Sequence, residues 1–225
     1  MEDQIENKIT VILNTVVKVV TNPVGFFQAM PKAGGFVEPL IFMVSMGVVA
    51  GIIQAILAIV GLSFAASFFM AIASVIIVPI LVGIFGFVGA AILFMIWKIM
   101  GSQQSFETAY RCSAYTGGIV PITTVLGVIP FLGPVLGLVW MTYLLVVASV
   151  EVHNLNQKTA WIVFGAICAV FVLTSIGSQF AARRVTKEVS KWEKEIEMRE
   201  DMTPEEAGRA MGEFLKGLEK GVGKE

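Results

Sequence analysis

Charge is what this sequence lacks, and it lacks it in one place. Of 16 basic and 17 acidic residues, only Lys98, Glu107, Arg111, Glu151 and Lys158 fall between Pro39 and Ala182. A stretch of 144 residues with five charges cannot cover itself with polar surface in water. Helices that cross a bilayer have this composition of necessity, because ionisable groups in hydrocarbon are costly. Aspartate is missing from the same stretch, Asp3 and Asp201 being the only two, which excludes an aspartyl protease working inside the membrane. A single histidine, His153, excludes multi-histidine metal sites and di-iron oxidases. The two cysteines, Cys112 and Cys168, lie in apolar runs at a spacing that matches no metal signature. They read as small buried hydrophobes rather than a disulfide. The net charge of −1 lacks the basic footprint of a nucleic-acid binder. No P-loop, dinucleotide fingerprint or G-x-S-x-G elbow occurs, which leaves a serine with His153 as base as the remaining hydrolytic arrangement. The expectation is a protein that is not an enzyme, with no cofactor and no metal.

What is there is apolar: 56% of the chain is hydrophobic, above the roughly 45–50% of a soluble domain. A bilayer core about 30 Å thick takes about 20 helical residues. Residues 39–60 form one such run, entered at Glu38-Pro39 and left at Gly61. From Phe64 to Trp97 there is no charge, and as one straight helix these 34 residues would measure about 51 Å, too long for a perpendicular crossing. Pro79 predicts the bend, so 79–98 is expected to cross and 64–78 to be interfacial or re-entrant. Residues 112–129 form a third span, broken by Gly117, Gly118 and Pro121. Ile129-Pro130-Phe131-Leu132-Gly133-Pro134 is a tight hairpin. Residues 136–152 return as the fourth span, and 161–181 form the fifth, opened by Trp161. The expected fold is all-α: an integral membrane bundle of five transmembrane helices over 38–182, with amphipathic helices at both termini. Five crossings put the termini on opposite sides. The positive-inside rule does not choose an orientation, because Lys18, Lys32, Lys98, Arg111 and Lys158 on one side are balanced by Arg183, Arg184, Lys187, Lys191 and Lys194 on the other.

The terminal segments carry the remaining charge. The opening MEDQIENK places three acids before its first lysine and lacks the basic region of a signal peptide, so the first span is expected to be its own targeting signal. Within 1–37, Ile5, Ile9, Ile12, Val16 and Val20 recur at helical spacing. Such a helix lies in the headgroup plane or packs on the bundle. Asn22-Pro23 reads as an N-cap with proline at the first helical position, and Phe26, Phe27 and Met30 give the helix that follows an apolar face. In 183–225, Val185, Val189, Trp192 and Ile196 repeat among lysines and glutamates. Thr203-Pro204-Glu205-Glu206 is a capping box opening a last helix with Ala207, Met211, Phe214, Leu215 and Leu218 on one side. These faces are solvated surface or a docking surface for a protein partner or the lipid bilayer.

The bundle's few charges, with His153, gather at the ends of the second, third and fourth spans. Glu107 and Arg111 are four apart and can pair along one helix. Glu151 needs a cation, and Arg111 is the nearest by topology. Snorkelling to water is one account; the other is that Glu107, Arg111, Glu151 and His153 form a polar site for a lipid headgroup or a protein partner. The pairs Gly47/Gly51 and Gly133/Gly137 and the ladder Gly83, Gly86, Gly89 let helices approach closely, within the chain or in a homo-oligomer.

Several of these segments, taken together, are family-like: Asn22-Pro23 with Phe26-Phe27; Gly101-Ser102-Gln103-Gln104-Ser105-Phe106 with Ala109-Tyr110 and Tyr115 leading to Pro121; Ile129-Pro130 with Gly133; and Glu151-Val152-His153 before Lys158. They resemble the Yip-domain family of polytopic membrane proteins, the Yip and YIPF proteins and their bacterial relatives, over roughly positions 20 to 180. The resemblance implies five spans and, for eukaryotic members, a cytosolic N-terminus and association with Rab GTPases in vesicle formation or Golgi organisation. The family's cytosolic Asp-Leu-Tyr-Gly-Pro string is absent here, so Rab binding is not carried over. The short tails resemble a prokaryotic member of the cytoplasmic (inner) membrane. The first reading is a non-enzymatic membrane protein that organises the bilayer or recruits partners through its ends. The alternative is a transporter or channel for a small molecule or lipid, built round the broken third span, whose unwound backbone could line a cavity.

Overall fold

In hydrocarbon a backbone must satisfy its own hydrogen bonds, so apolar runs of this length fold as helices. The computed structural model describes residues 2–62 and 68–197, with 205, 206, 208, 209 and 212 of the tail. Every regular element among the described residues is helical. In order these are α1 (Glu2–Thr21), α2 (Pro23–Ala29), α3 (Val37–Ile59), α4 (Phe68–Ile99), α5 (Phe106–Thr116), a 3-10 turn (Gly117–Ile119), α6 (Val120–Leu126), α7 (Leu132–Glu151) and α8 (Gln157–Glu197). The chain divides into two compact units, 1–173 and 174–225. In the second, α8 runs on to Glu197. The capping box at Thr203-Pro204 and the positions Ala207, Met211, Phe214, Leu215 and Leu218 lie outside the described residues.

Four helices are long and apolar enough to cross a membrane: Val37–Ile59, Ala73–Ile99 in α4, Leu132–Glu151, and Gln157–Val185 in α8. They contain, to within a residue, the expected spans 39–60, 79–98, 136–152 and 161–181. α4 is continuous through Pro79, so the described part of 64–78 is its N-terminal part rather than a separate helix. Residues 63–67 lie outside the described residues. At Pro79 α4 packs closely on α3: a Cβ on Gly47 of α3 would stand 2.9 Å from the Pro79 Cα. One turn on, a Cβ on Gly51 would meet the Ser74 carbonyl at 2.8 Å, and Ser74 Oγ donates to the Gly51 carbonyl at 3.2 Å. The expected span 112–129 is not a single helix. It comprises the second half of α5, the 3-10 turn at Gly117-Gly118, and α6, with Pro121 in the first turn of α6 where its missing N–H costs nothing.

α5 packs on α3 and α4, α6 on α3 and α7, α2 on α7, and α1 on α2 and the 3-10 turn. Gly133 sits against the Leu126 carbonyl, and a Cβ on Gly137 would meet Thr123 at 3.0 Å, so these small residues serve packing within the chain. The buried core gathers Val19, Phe27, Trp97, Leu144, Val152 and Phe164. It sits at one end of the bundle, where α4 and α7 finish and α5 and α8 begin. α1 buries Val19 there and packs Ile12, Val16 and Val20 around it, while Ile9, Leu13 and Val17, four apart, remain exposed.

Candidate functional site

Polar side chains collect at the same end as the core, and α5 is their frame. Ser105 caps it, accepting from the Thr108 N–H at 3.2 Å, and Glu107 in the first turn complements the helix dipole. The face that carries Glu107, Thr108 and Arg111 meets the loop between α2 and α3. Gly34 and Gly35 have φ of +130° and +84°, conformations that side chains rarely adopt. At Gly35 both backbone groups bond to α5: its N–H donates to Glu107 Oε1 at 2.6 Å, and its carbonyl accepts from Arg111 Nη1 at 3.0 Å. Arg111 Nη2 donates to Glu38 Oε2 at 3.0 Å, and Thr108 Oγ1 donates to the Lys32 carbonyl at 2.9 Å. These bonds clamp the loop. Arg111 is 1% exposed and Glu38 68%, so a buried cation is neutralised by a carboxylate still at the surface.

Glu151 and His153 hold another corner. Glu151 Oε2 accepts from Gln28 Nε2 of α2 at 2.8 Å. The His153 ring stacks on Trp97 with centroids 4.0 Å apart, and its Nδ1 lies 2.7 Å from Ser102 Oγ. Trp97 Nε1 in turn donates to Ser149 Oγ at 2.7 Å. Burial, reinforced by Lys32 and Lys98, pushes the His153 pKa down to about 4, so the ring is neutral at pH 7. His153 Nε2, Tyr110 Oη and Arg111 Nε are buried without a hydrogen-bond partner among the described residues. The buried Ser102–His153 contact ties the 100–105 loop to the end of α7. Among the described residues no three His, Cys, Asp or Glu side chains group as a metal site.

The four expected site residues therefore stand at one end of the bundle, with different partners. Glu107 and Arg111 each hold the Gly35 loop rather than one another, and the carboxylate on Arg111 is Glu38, not Glu151. Sequence reasoning used Glu38 only as the entry mark of a span, Lys32 only in the balance of charge, Ser102 only in a family-like segment and Trp97 only as the end of an apolar run, and passed over Gln28 and Gly34-Gly35. A signal existed for two of them: an acid at a membrane boundary asks for a cation, and a Gly-Gly pair before a span asks for a turn.

Beside the clamp, between α1, α2 and the head of α3, lies an open cavity of about 360 Å³ with Thr15, Lys18, Phe26, Glu38 and Tyr115 among its walls. Phe26 packs edge-on to Tyr115 with centroids 5.2 Å apart. The break after α5 is filled by its neighbours: a Cβ on Gly118 would lie 3.3 Å from Phe42 and 3.6 Å from Val19.

No curated protein and no solved structure matches this chain. A family model does: the Yip1 domain matches residues 17–178, which include every side chain of the clamp and of the His153 corner. With well over half of the 225 residues covered, the chain belongs to the Yip1-domain family and is a membrane protein of that family.

Proposed function

We propose that this Yip1-domain protein is a non-enzymatic membrane organiser: a bundle of five crossings that holds an amphipathic helix at one bilayer surface and offers its polar end to a protein partner. The fifth crossing in this reading is the α5–α6 pair, residues 106–126, close to the length a crossing needs. Glu107 and Arg111 shape the docking face through the 34–38 loop, Glu151 through α2, and His153 through the 100–105 loop. The charged tail 183–225 is a second docking segment, and the cytoplasmic membrane of a prokaryote is the proposed location.

The observation that carries this is the double use of α1. Val19 is fully buried in the bundle, yet Ile9, Leu13 and Val17 form an adjoining stripe that is more than half exposed, next to the polar edge of Asn14, Lys18 and Thr21. The packed face needs the protein; the exposed stripe needs lipid. A helix seated in one leaflet spreads that leaflet and bends the bilayer. The conduit reading is not favoured, because Val19 and Phe42 fill the break that would have to line it.

Reconstitution tests the proposal. Purified protein should reduce the diameter of liposomes or tubulate them, and the double variant Leu13→Glu, Val17→Glu should lose that effect with helix content and melting temperature retained. A double variant that reshapes vesicles as well as the parent, or a parent that releases entrapped solute without changing vesicle shape, overturns it.

A further inference from the structure

We infer that the cavity between α1, α2 and the head of α3 is a binding site for the zwitterionic headgroup of an aminophospholipid, with its phosphate on Lys18 and its primary ammonium on Glu38. The inference rests on the placement of α1 at the bilayer surface proposed above.

Charge selects the ligand class. The cavity presents one cation and one anion, Lys18 and Glu38, and both are exposed. Arg111 occupies only Oε2 of Glu38, and Lys18 is in no ion pair among the described residues. A simple anion would meet the Glu38 carboxylate, and a simple cation would meet Lys18; a zwitterion that carries both a phosphate and an ammonium satisfies both. The volume, about 360 Å³, is at the lower end of ordinary small-ligand sites and suits a headgroup rather than a whole lipid.

Position selects a lipid over a soluble compound. Glu38 stands in the first turn of α3, which is long and apolar enough to cross the membrane. A lipid whose headgroup lies at the level where α3 enters the bilayer reaches this site with its acyl chains still in hydrocarbon, an anchorage that a free phosphoamine lacks. The aromatic wall of Phe26 and Tyr115 packs against the glycerol end.

The full-length protein, taken from nanodiscs holding equal amounts of phosphatidylethanolamine and phosphatidylglycerol, can be weighed with its retained lipid by native mass spectrometry. The parent should retain phosphatidylethanolamine in preference to phosphatidylglycerol. Thr15→Trp, which fills the cavity from α1, should lower that retention roughly tenfold, as should Lys18→Glu, which turns both ends of the site acidic. Lys18 is exposed, so its variant keeps the test valid should Thr15→Trp fail to fold. The Leu13→Glu, Val17→Glu protein should retain the lipid normally, which separates failure of this site from failure of vesicle reshaping. Absence of a preference for phosphatidylethanolamine, or parental retention in Lys18→Glu, overturns the inference. So does displacement of the lipid by an equal concentration of soluble phosphoethanolamine, which would make the ligand the free compound.

Discussion

Arg111 and His153 solve the same problem, a titratable group enclosed near a membrane surface, in opposite ways. Arg111 keeps its charge and takes a carboxylate and a carbonyl to neutralise it, since an unpaired buried charge costs several kcal/mol. His153 gives its charge up, with a pKa of about 4 against an ordinary 6.5. Between those two values the unfolded chain holds a proton that the folded one does not. The stabilisation from a neutral His153 is thus complete above about pH 6.5 and is lost as the pH falls toward 4, by at most ~1.4 kcal/mol per pH unit. Melting curves in detergent between pH 7.5 and 4.5 should show this slope in the parent and a flatter one in His153→Phe, which keeps the stack on Trp97; equal slopes would refute the assignment. That Glu107, Arg111, Glu151 and His153 share one end was legible in the sequence, because a charge near a bilayer has little choice but the end of a span. Their partners were not legible. Glu38 is 73 residues from Arg111 and Gln28 is 123 from Glu151, separations that no periodicity links. Assigning Glu151 to a cation also overlooked that an amide can serve a carboxylate near water.

Helices make the same point about proline. Pro79 and Pro121 look alike in an apolar run, yet one sits inside a continuous helix and the other opens a new one. Their surroundings differ: Pro79 is met across the interface by Gly47, whereas Pro121 follows a Gly-Gly pair in a 3-10 turn and sits where its missing N–H costs nothing. Lengths of apolar runs, and hence four of the helices, were legible, but whether a proline lies inside a helix or opens one was not, because Pro79 and Pro121 both lie in apolar runs. Gly51 provides the check. Its missing side chain admits backbone of α4, so Gly51→Leu must push α3 and α4 apart and should cost about 1–3 kcal/mol. Gly89→Ala, which meets nothing within 4 Å, should be neutral or slightly stabilising. Thermal melts of the two in the same detergent decide it, and equal losses would mean that the α3–α4 contact is not the tight one.

For the whole molecule, the number of crossings turns on α5 and α6. With Cys112 and Cys168 replaced by alanine, single cysteines at Gln103 and Ile129, exposed positions before α5 and after α6, should react with an impermeant maleimide from opposite sides of a sealed vesicle. Reaction from the same side would leave four crossings. The clamp on the Gly34-Gly35 loop bears on how such a molecule acts. It fixes the α2–α3 loop to α5, and Val19 fixes α1 to the core beside it, so in the proposed seating α1 would reach lipid as a finished helix. Helices that are disordered until they find loosely packed lipid report on the state of a membrane. One whose conformation is settled beforehand by its own bundle has nothing left to sense; it imposes its geometry on the leaflet it enters, and its effect grows with the number of copies present rather than with the looseness of the lipid.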